Sequence, residues 1–178
     1  MCMYDNRTHV LTGLLILMTA VFPADAQQLG DPISESDIAP WDISISPDGR
    51  GLPSGTGTAV EGAAIYAEKC SACHGEAAKS GPGGSLAGGI GQLTRGEENR
   101  TLGSFWPYST TIFDYVRRAM PYQNPGSLSD AEVYSVTAYL LHANGIISQH
   151  YVLEADSLPI IRMPNRDGFI SDWPSARK

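Results

Sequence analysis

Residues 70–74 read Cys-Ser-Ala-Cys-His, and this run limits the possible folds more than any other part of the chain. Two thiols three positions apart on a helical turn project to one side, with an imidazole beside the second. The C-x-x-C-H spacing is that of covalent haem attachment. Cys70 and Cys73 are placed to reach the two vinyl groups of one haem, and His74 to sit under the iron as the proximal ligand. The rest of the sequence then has to supply an apolar shell for a flat macrocycle and a second axial ligand.

Rival readings of the same residues are less complete. A thioredoxin-like redox pair needs a βαβ surround, and no such pattern flanks the motif. A zinc site needs two more Cys or His ligands, and downstream only His142 and His150 remain. A Cys70–Cys73 disulfide in a haem-free binding module stays open as an alternative, but it leaves His74 without a role.

The 178 residues are enough for one domain plus extensions, and with 42% hydrophobic and 17% charged residues the chain is not an acidic disordered polymer. A net charge of −7 repels phosphate and disfavours nucleic-acid binding. Three Cys cannot build a disulfide framework, so a core or a cofactor must stabilise the fold. There is no Ser/His/Asp arrangement and no paired-carboxylate site. The Gly81–Gly91 stretch lacks the Lys and flanking strand of a phosphate cradle.

Residues 1–26 read as an export signal. Arg7 and His9 precede the apolar run Val10–Phe22, and Ala24-Asp25-Ala26 forms a small-x-small cleavage site. The run is shorter than the roughly 20 apolar residues of a membrane span. The expected product is Gln27–Lys178, cleaved after Ala26, in the periplasm.

Residues 27–57 hold four Pro and five Gly with no helical period, and are expected to form an extended arm docked through Trp41 and its Ile neighbours. The helical domain spans 58–145. Thr58 and Glu61 form a capping box before an Ala-rich helix running to Cys70. A second helix is expected over Thr111–Ala119, with Ile112, Phe113, Val116 and Ala119 on one face and Pro121 closing it. A third begins at Ser129 with a Ser129–Glu132 capping box and buries Val133, Val136, Leu140 and Leu141. Asn144-Gly145 stops it. Residues 146–178, with Pro159, Pro164 and Pro174, are expected to form an irregular extension packed on the domain.

The sixth ligand must come from Met120, Met163, His142 or His150, unless the site is open. Met120 is the first choice. It ends a helix before Pro121, on a loop between two helices, whereas Met163 precedes Pro164 in the extension and His142 suits the dipole at a helix C-terminus.

Together, Tyr66, Cys70 to His74 with Gly75, the Met120-Pro121 loop and the Ala138-Tyr139-Leu140 helix resemble a class I cytochrome c over 58–145. The resemblance implies an all-α fold around one covalent haem c. It also implies a close crossing of the first and last helices, for which Gly62, Tyr66 and Tyr139 are suited.

Further motifs resemble the cytochrome subunit of bacterial sulfane or sulfite dehydrogenase, from the sulfur-oxidation system. They are Trp41-Asp42-Ile43, Pro47-Asp48-Gly49, Trp106-Pro107-Tyr108, Asp114-Tyr115, Pro125-Gly126-Ser127-Leu128 and Met163 to Phe169. That resemblance implies an electron carrier rather than an enzyme. It would take single electrons from a molybdenum dehydrogenase and pass them to a downstream cytochrome or oxidase. A haem enzyme with an open sixth site, and a carrier for an unrelated periplasmic dehydrogenase, are the alternatives. The family often carries two haem motifs and this chain has one. The family loop also has a Pro before its Leu-Ala-Gly run, where this chain reads Gly83-Gly84-Ser85-Leu86-Ala87-Gly88. The carbonyl of Pro82 or Gly84 is therefore the expected acceptor for the His74 ring N–H.

Leu86, Trp106 and Tyr108 are candidate walls of the haem site, the last two also as donors to a propionate, with core packing as the other reading. Asn124 is a candidate donor to the Met120 sulfur, or a plain turn residue before Pro125. Arg117, Arg118 and Arg166 are candidate propionate or docking residues, against solvated positions or pairing with nearby Asp residues.

Overall fold

The computed structural model describes residues 30–93 and 100–170. The expected signal sequence and cleavage site, and the last residues from 171, lie outside the described residues.

Residues 30–41 belong to a separate compact unit. The described residues there contain one helical turn, α1 (Glu35–Ile38), where the absence of a helical period predicts extended chain. Ser34 and Asp37 explain it. The Ser34 N–H and hydroxyl both donate to the Asp37 carboxylate, at 2.9 and 2.6 Å, which closes a capping box without an apolar face. Trp41, at the end of this unit, is 83% exposed.

The second unit, from Asp42 onward, holds the core. Strand β1 (Thr56–Gly57) leads into helix α2 (Ala59–Lys69). At its start the Thr58 hydroxyl accepts from the Glu61 N–H, while the Glu61 carboxylate accepts from the Thr58 N–H at 2.8 Å. Helix α3 (Ser71–His74) follows directly, then a 3₁₀ turn over Glu76–Ala78. Helix α4 (Leu102–Phe105) is capped by Thr101 and Ser104. Helix α5 (Ser109–Ala119) starts two residues earlier than its apolar face predicts, and its first residue is tied to the C-terminal segment, the Ser109 hydroxyl donating to the Leu158 carbonyl at 2.6 Å. Helix α6 (Asp130–Ala143) has the expected Ser129–Glu132 box.

Helices α2 and α6 cross at Gly62. A Cβ there would collide with the Ser135 carbonyl and come within 2.9 Å of the Tyr139 Cβ. One turn on, the rings of Tyr66 and Tyr139 lie 4.6 Å apart between centroids. Helix α5 joins this pair through Phe113 and Tyr134, both fully buried, with centroids 4.5 Å apart. Such aromatic pairs add about 0.5–1.5 kcal/mol beyond the area they bury.

Among the described residues the fold is all-α except for one small sheet, in which β1 pairs antiparallel with β2 (Leu153–Glu154). This pairing ties the chain before α2 to the segment after α6. Other contacts secure the two segments to α4, α5 and α6. The Ile45 N–H donates to Asp114 Oδ1 at 3.2 Å, and the Tyr134 hydroxyl donates to the Pro53 carbonyl at 2.9 Å. Asn165 Nδ2 donates to the Phe105 carbonyl at 2.8 Å. No helix among the described residues is long and apolar enough to cross a membrane.

Candidate functional site

Cys70 ends α2, and Cys73 and His74 lie on the single turn α3 that follows it. Capping of α2 at Thr58 and its crossing with α6 therefore set where the thiols sit. Met120 is the C-cap of α5, joined to Pro121 by a cis peptide. All four side chains line one hollow of about 270 Å³. A second, of about 500 Å³, shares His74, Leu86, Val116, Met120 and Leu140 with the first. Pockets for cofactor-sized ligands hold roughly 300–1,000 Å³. The walls are largely aliphatic, with Val116, Leu128, Val136 and Leu140 drawn from α5, α6 and the loop between them.

The imidazole is oriented. His74 Nδ1 lies 3.1 Å from the Gly84 carbonyl oxygen. A carbonyl only accepts, so Nδ1 is the donor, and in the neutral ring this leaves the lone pair on Nε2, the form a metal requires. Of the two carbonyls left open by the sequence, the structure selects Gly84. Pro82 is exposed and lines neither hollow. The Gly83 N–H donates to the Cys73 carbonyl at 2.6 Å, which ties this loop to the cysteine turn.

Cys70 and Cys73 are not joined in a disulfide. Burial, then the neighbouring Cys73, pushes the Cys70 thiol up to about 11. A redox-active C-x-x-C pair has a thiol shifted the other way, so the environment of Cys70 does not suit thioredoxin-type exchange. Tyr66 lines the first hollow and donates its hydroxyl to the Gly75 carbonyl at 3.0 Å. Burial raises it to about 12, which keeps it neutral at physiological pH.

The other candidates divide. Leu86 lines both hollows, and Trp106 lines the second while packing edge-on against Tyr115 at 5.7 Å. Tyr108 lines neither. Its ring is covered by the Arg166 guanidinium, 4.1 Å from the centroid, and its backbone bridges to Arg162, so it fastens the C-terminal segment. Asn124 is exposed, and its N–H donates to the Pro121 carbonyl in a turn. Met163 is 1% exposed within the core and lines neither hollow. His142 Nδ1 faces the Ile147 carbonyl, and His150 pairs with Gln149. Arg117 pairs with Asp130 at 3.1 Å and Arg118 with Asp114.

Sequence reasoning missed Arg100, which lines the second hollow and lies 5.4 Å from the Phe105 ring centroid. Its one signal is position, immediately before the Thr101–Ser104 cap. It also missed Tyr122, a lining residue that is 79% exposed.

These residues fit a covalently bound haem. Two thiols that would tether the haem, and an imidazole and a thioether that would ligate its iron, line one aliphatic hollow.

Comparison with known proteins agrees with that chemistry. The cytochrome c family model matches residues 59–144. A chain in the crystal structure of the sulfane dehydrogenase SoxCD from Paracoccus pantotrophus is 39% identical, with a TM-score of 0.75. The match covers 82% of this chain and 72% of that one. A thiosulfate dehydrogenase from Stutzerimonas stutzeri is 33% identical over 89 residues, 49% of this chain. The matched part spans 28% of that relative's length. The likeness to the SoxCD chain extends beyond the helical core into the flanking segments. The chain therefore belongs to the cytochrome c family, with the class I fold, and is a relative of a chain of sulfane dehydrogenase.

Proposed function

We propose that this protein carries single electrons on one haem c, tethered by Cys70 and Cys73 and ligated by His74 and Met120. The observation that carries the reading is the hollow itself. Both thiols, the oriented imidazole and the Met120 thioether line it, whereas Met163, His142 and His150 are occupied elsewhere. When bound, the haem supplies a one-electron couple, and His/Met ligation places that couple at a higher potential than bis-His ligation does. The protein's own residues do the rest. The Gly84 carbonyl fixes the ring of His74, the Val116, Leu128, Val136 and Leu140 side chains exclude water, and the α2–α6 crossing holds the cysteine turn in place. With His74 and Met120 both on the iron, the metal would offer no open site to a substrate and little would have to move when the charge changes.

The donor we infer is a molybdenum dehydrogenase acting on a reduced sulfur compound, and the acceptor a downstream cytochrome or oxidase. The similarity to a sulfane dehydrogenase chain and to a thiosulfate dehydrogenase supports this partner class. The setting is the periplasm, after cleavage behind Ala26. The acidic balance, −7 for the full sequence and 11 − 17 = −6 once Arg7, Asp5 and Asp25 leave with the signal, suits a partner with a basic docking patch and an association that weakens with salt.

Visible spectra test the ligand set. The red Met–Fe(III) band is expected in wild type and Met163→Ala and absent from Met120→Ala. Its survival in Met120→Ala would remove Met120 from the iron. Ready CO binding by the reduced wild type would replace the carrier by an open-site haem enzyme. Stopped-flow mixing with a candidate sulfur dehydrogenase tests the partner. Reduction that slows as salt is raised is expected, and no reduction would remove the pairing.

A further inference from the structure

We propose that Asn144, at the far end of α6, is a positioning residue for the proximal imidazole. The inference rests on the reading of His74 as an iron ligand. Asn144 is the C-cap of α6 and is buried. Its amide makes three hydrogen bonds. Oδ1 accepts from the Gly88 N–H at 3.1 Å, and Nδ2 donates to the carbonyls of Leu86 at 3.2 Å and Leu140 at 2.8 Å. Both amide hydrogens are thus used, and a planar amide with fixed partners on both sides has one orientation. Gly103 closes the remaining side, since a Cβ there would lie 3.0 Å from the Asn144 Cβ and run into the amide.

The segment so held carries the acceptor for His74. Gly84 lies two residues before Leu86 and its carbonyl faces His74 Nδ1. The loop is pinned at its start by the Gly83 N–H to the Cys73 carbonyl. In its middle, the Leu86 and Ala87 N–H groups both donate to the Ala78 carbonyl at 2.9 Å. Its end is held by Asn144, with the Thr101 hydroxyl donating to the Gly88 carbonyl at 2.5 Å. Gly84 has nothing within 4 Å of the position a Cβ would take, and its φ is +86°. Gly84 has no side chain to hold its peptide, so backbone anchors set where its carbonyl points: its own N–H donates to the Gly81 carbonyl at 3.0 Å, and the bonds just named hold the loop on either side. Losing the Asn144 amide frees the Gly88 N–H and one partner of the Leu86 carbonyl, and the peptide at Gly84 gains freedom to swing off the imidazole.

Hydrogen exchange of the His74 Nδ1 proton, followed by NMR in the reduced, haem-loaded protein, tests this. Intact mass of each sample first establishes that haem is attached, so a failure of the haem reading registers separately. Asn144→Ala is expected to speed exchange at least tenfold. Val133→Ala, a cavity in the buried face of α6 away from the loop, is expected to leave exchange within twofold of wild type. Asn144→Asp keeps the acceptor for Gly88 but surrenders both donors, and it is expected to speed exchange too. It provides the measurement if the alanine chain does not accumulate. Unchanged exchange in the Asn144 variant that folds, or equal acceleration in Val133→Ala, would overturn the proposal.

Discussion

Gly62 lies against the Ser135 carbonyl, at the point where α2 and α6 cross. A glycine inside an exposed helix costs about 1 kcal/mol relative to alanine. Propensity alone therefore says that Gly62→Ala stabilises. The structure says the reverse, because the new methyl meets backbone rather than the end of a flexible side chain, and overpacking of that kind costs about 1–3 kcal/mol. Gly62→Ala is expected to lower stability by about 1–2 kcal/mol in chemical denaturation of the holoprotein. A midpoint shifted to higher denaturant would mean that the helices do not approach as closely as described.

The capping box at Ser129 gives α6 a component of stability that depends on pH. Hydrogen bonds from the Ser129 N–H and hydroxyl hold the Glu132 carboxyl below its ordinary value of 4.5, with Lys69 adding a smaller effect. A carboxyl lowered by folding stabilises the native state above its unfolded pKa, and that stability is lost as pH falls through the folded value. Ser129→Ala is expected to cost about 1 kcal/mol at pH 7. The gap between the two proteins should narrow as pH drops below about 4.5. Denaturation curves at pH 7 and pH 3 check this, and a gap that stays constant would assign the loss to something other than the Glu132 charge.

Thr137 sits on α6 with its hydroxyl fully buried and without a hydrogen-bond partner among the described residues. An unsatisfied buried hydroxyl costs about 1–3 kcal/mol, and Val matches its shape closely. Thr137→Val is expected to raise stability by about 1 kcal/mol while leaving the visible spectrum unchanged, because Thr137 lines neither hollow. A loss of stability would mean that the hydroxyl has a partner in solution.

The features legible in the sequence were those written in local chemistry. The Thr58 and Ser129 capping boxes, the apolar face of α5 and the spacing from Cys70 to His74 each depend on residues within a turn or two of one another. Gly62 and Tyr139 were legible only through the resemblance, since nothing near either residue in the chain announces the other. Features that depend on distant partners could not be read in this way. The two-residue strands β1 and β2 pair across nearly a hundred residues and carry no alternating pattern. Helix α4 is a single turn, too short to show a period, and only its Thr101–Ser104 cap marks it. The roles of Gly84 and Asn144 rest on carbonyl and amide positions that a side-chain pattern does not encode.

The central claim is that Cys70 and Cys73 bind one haem covalently, in the hollow that His74 and Met120 also line. Intact-mass measurement of the chain, produced with export and haem-attachment machinery, tests it most directly. The account predicts the mass of the exported polypeptide plus one haem, lost together with the red colour in a Cys70→Ala, Cys73→Ala double variant. Bare polypeptide from the wild-type chain under the same conditions would contradict it.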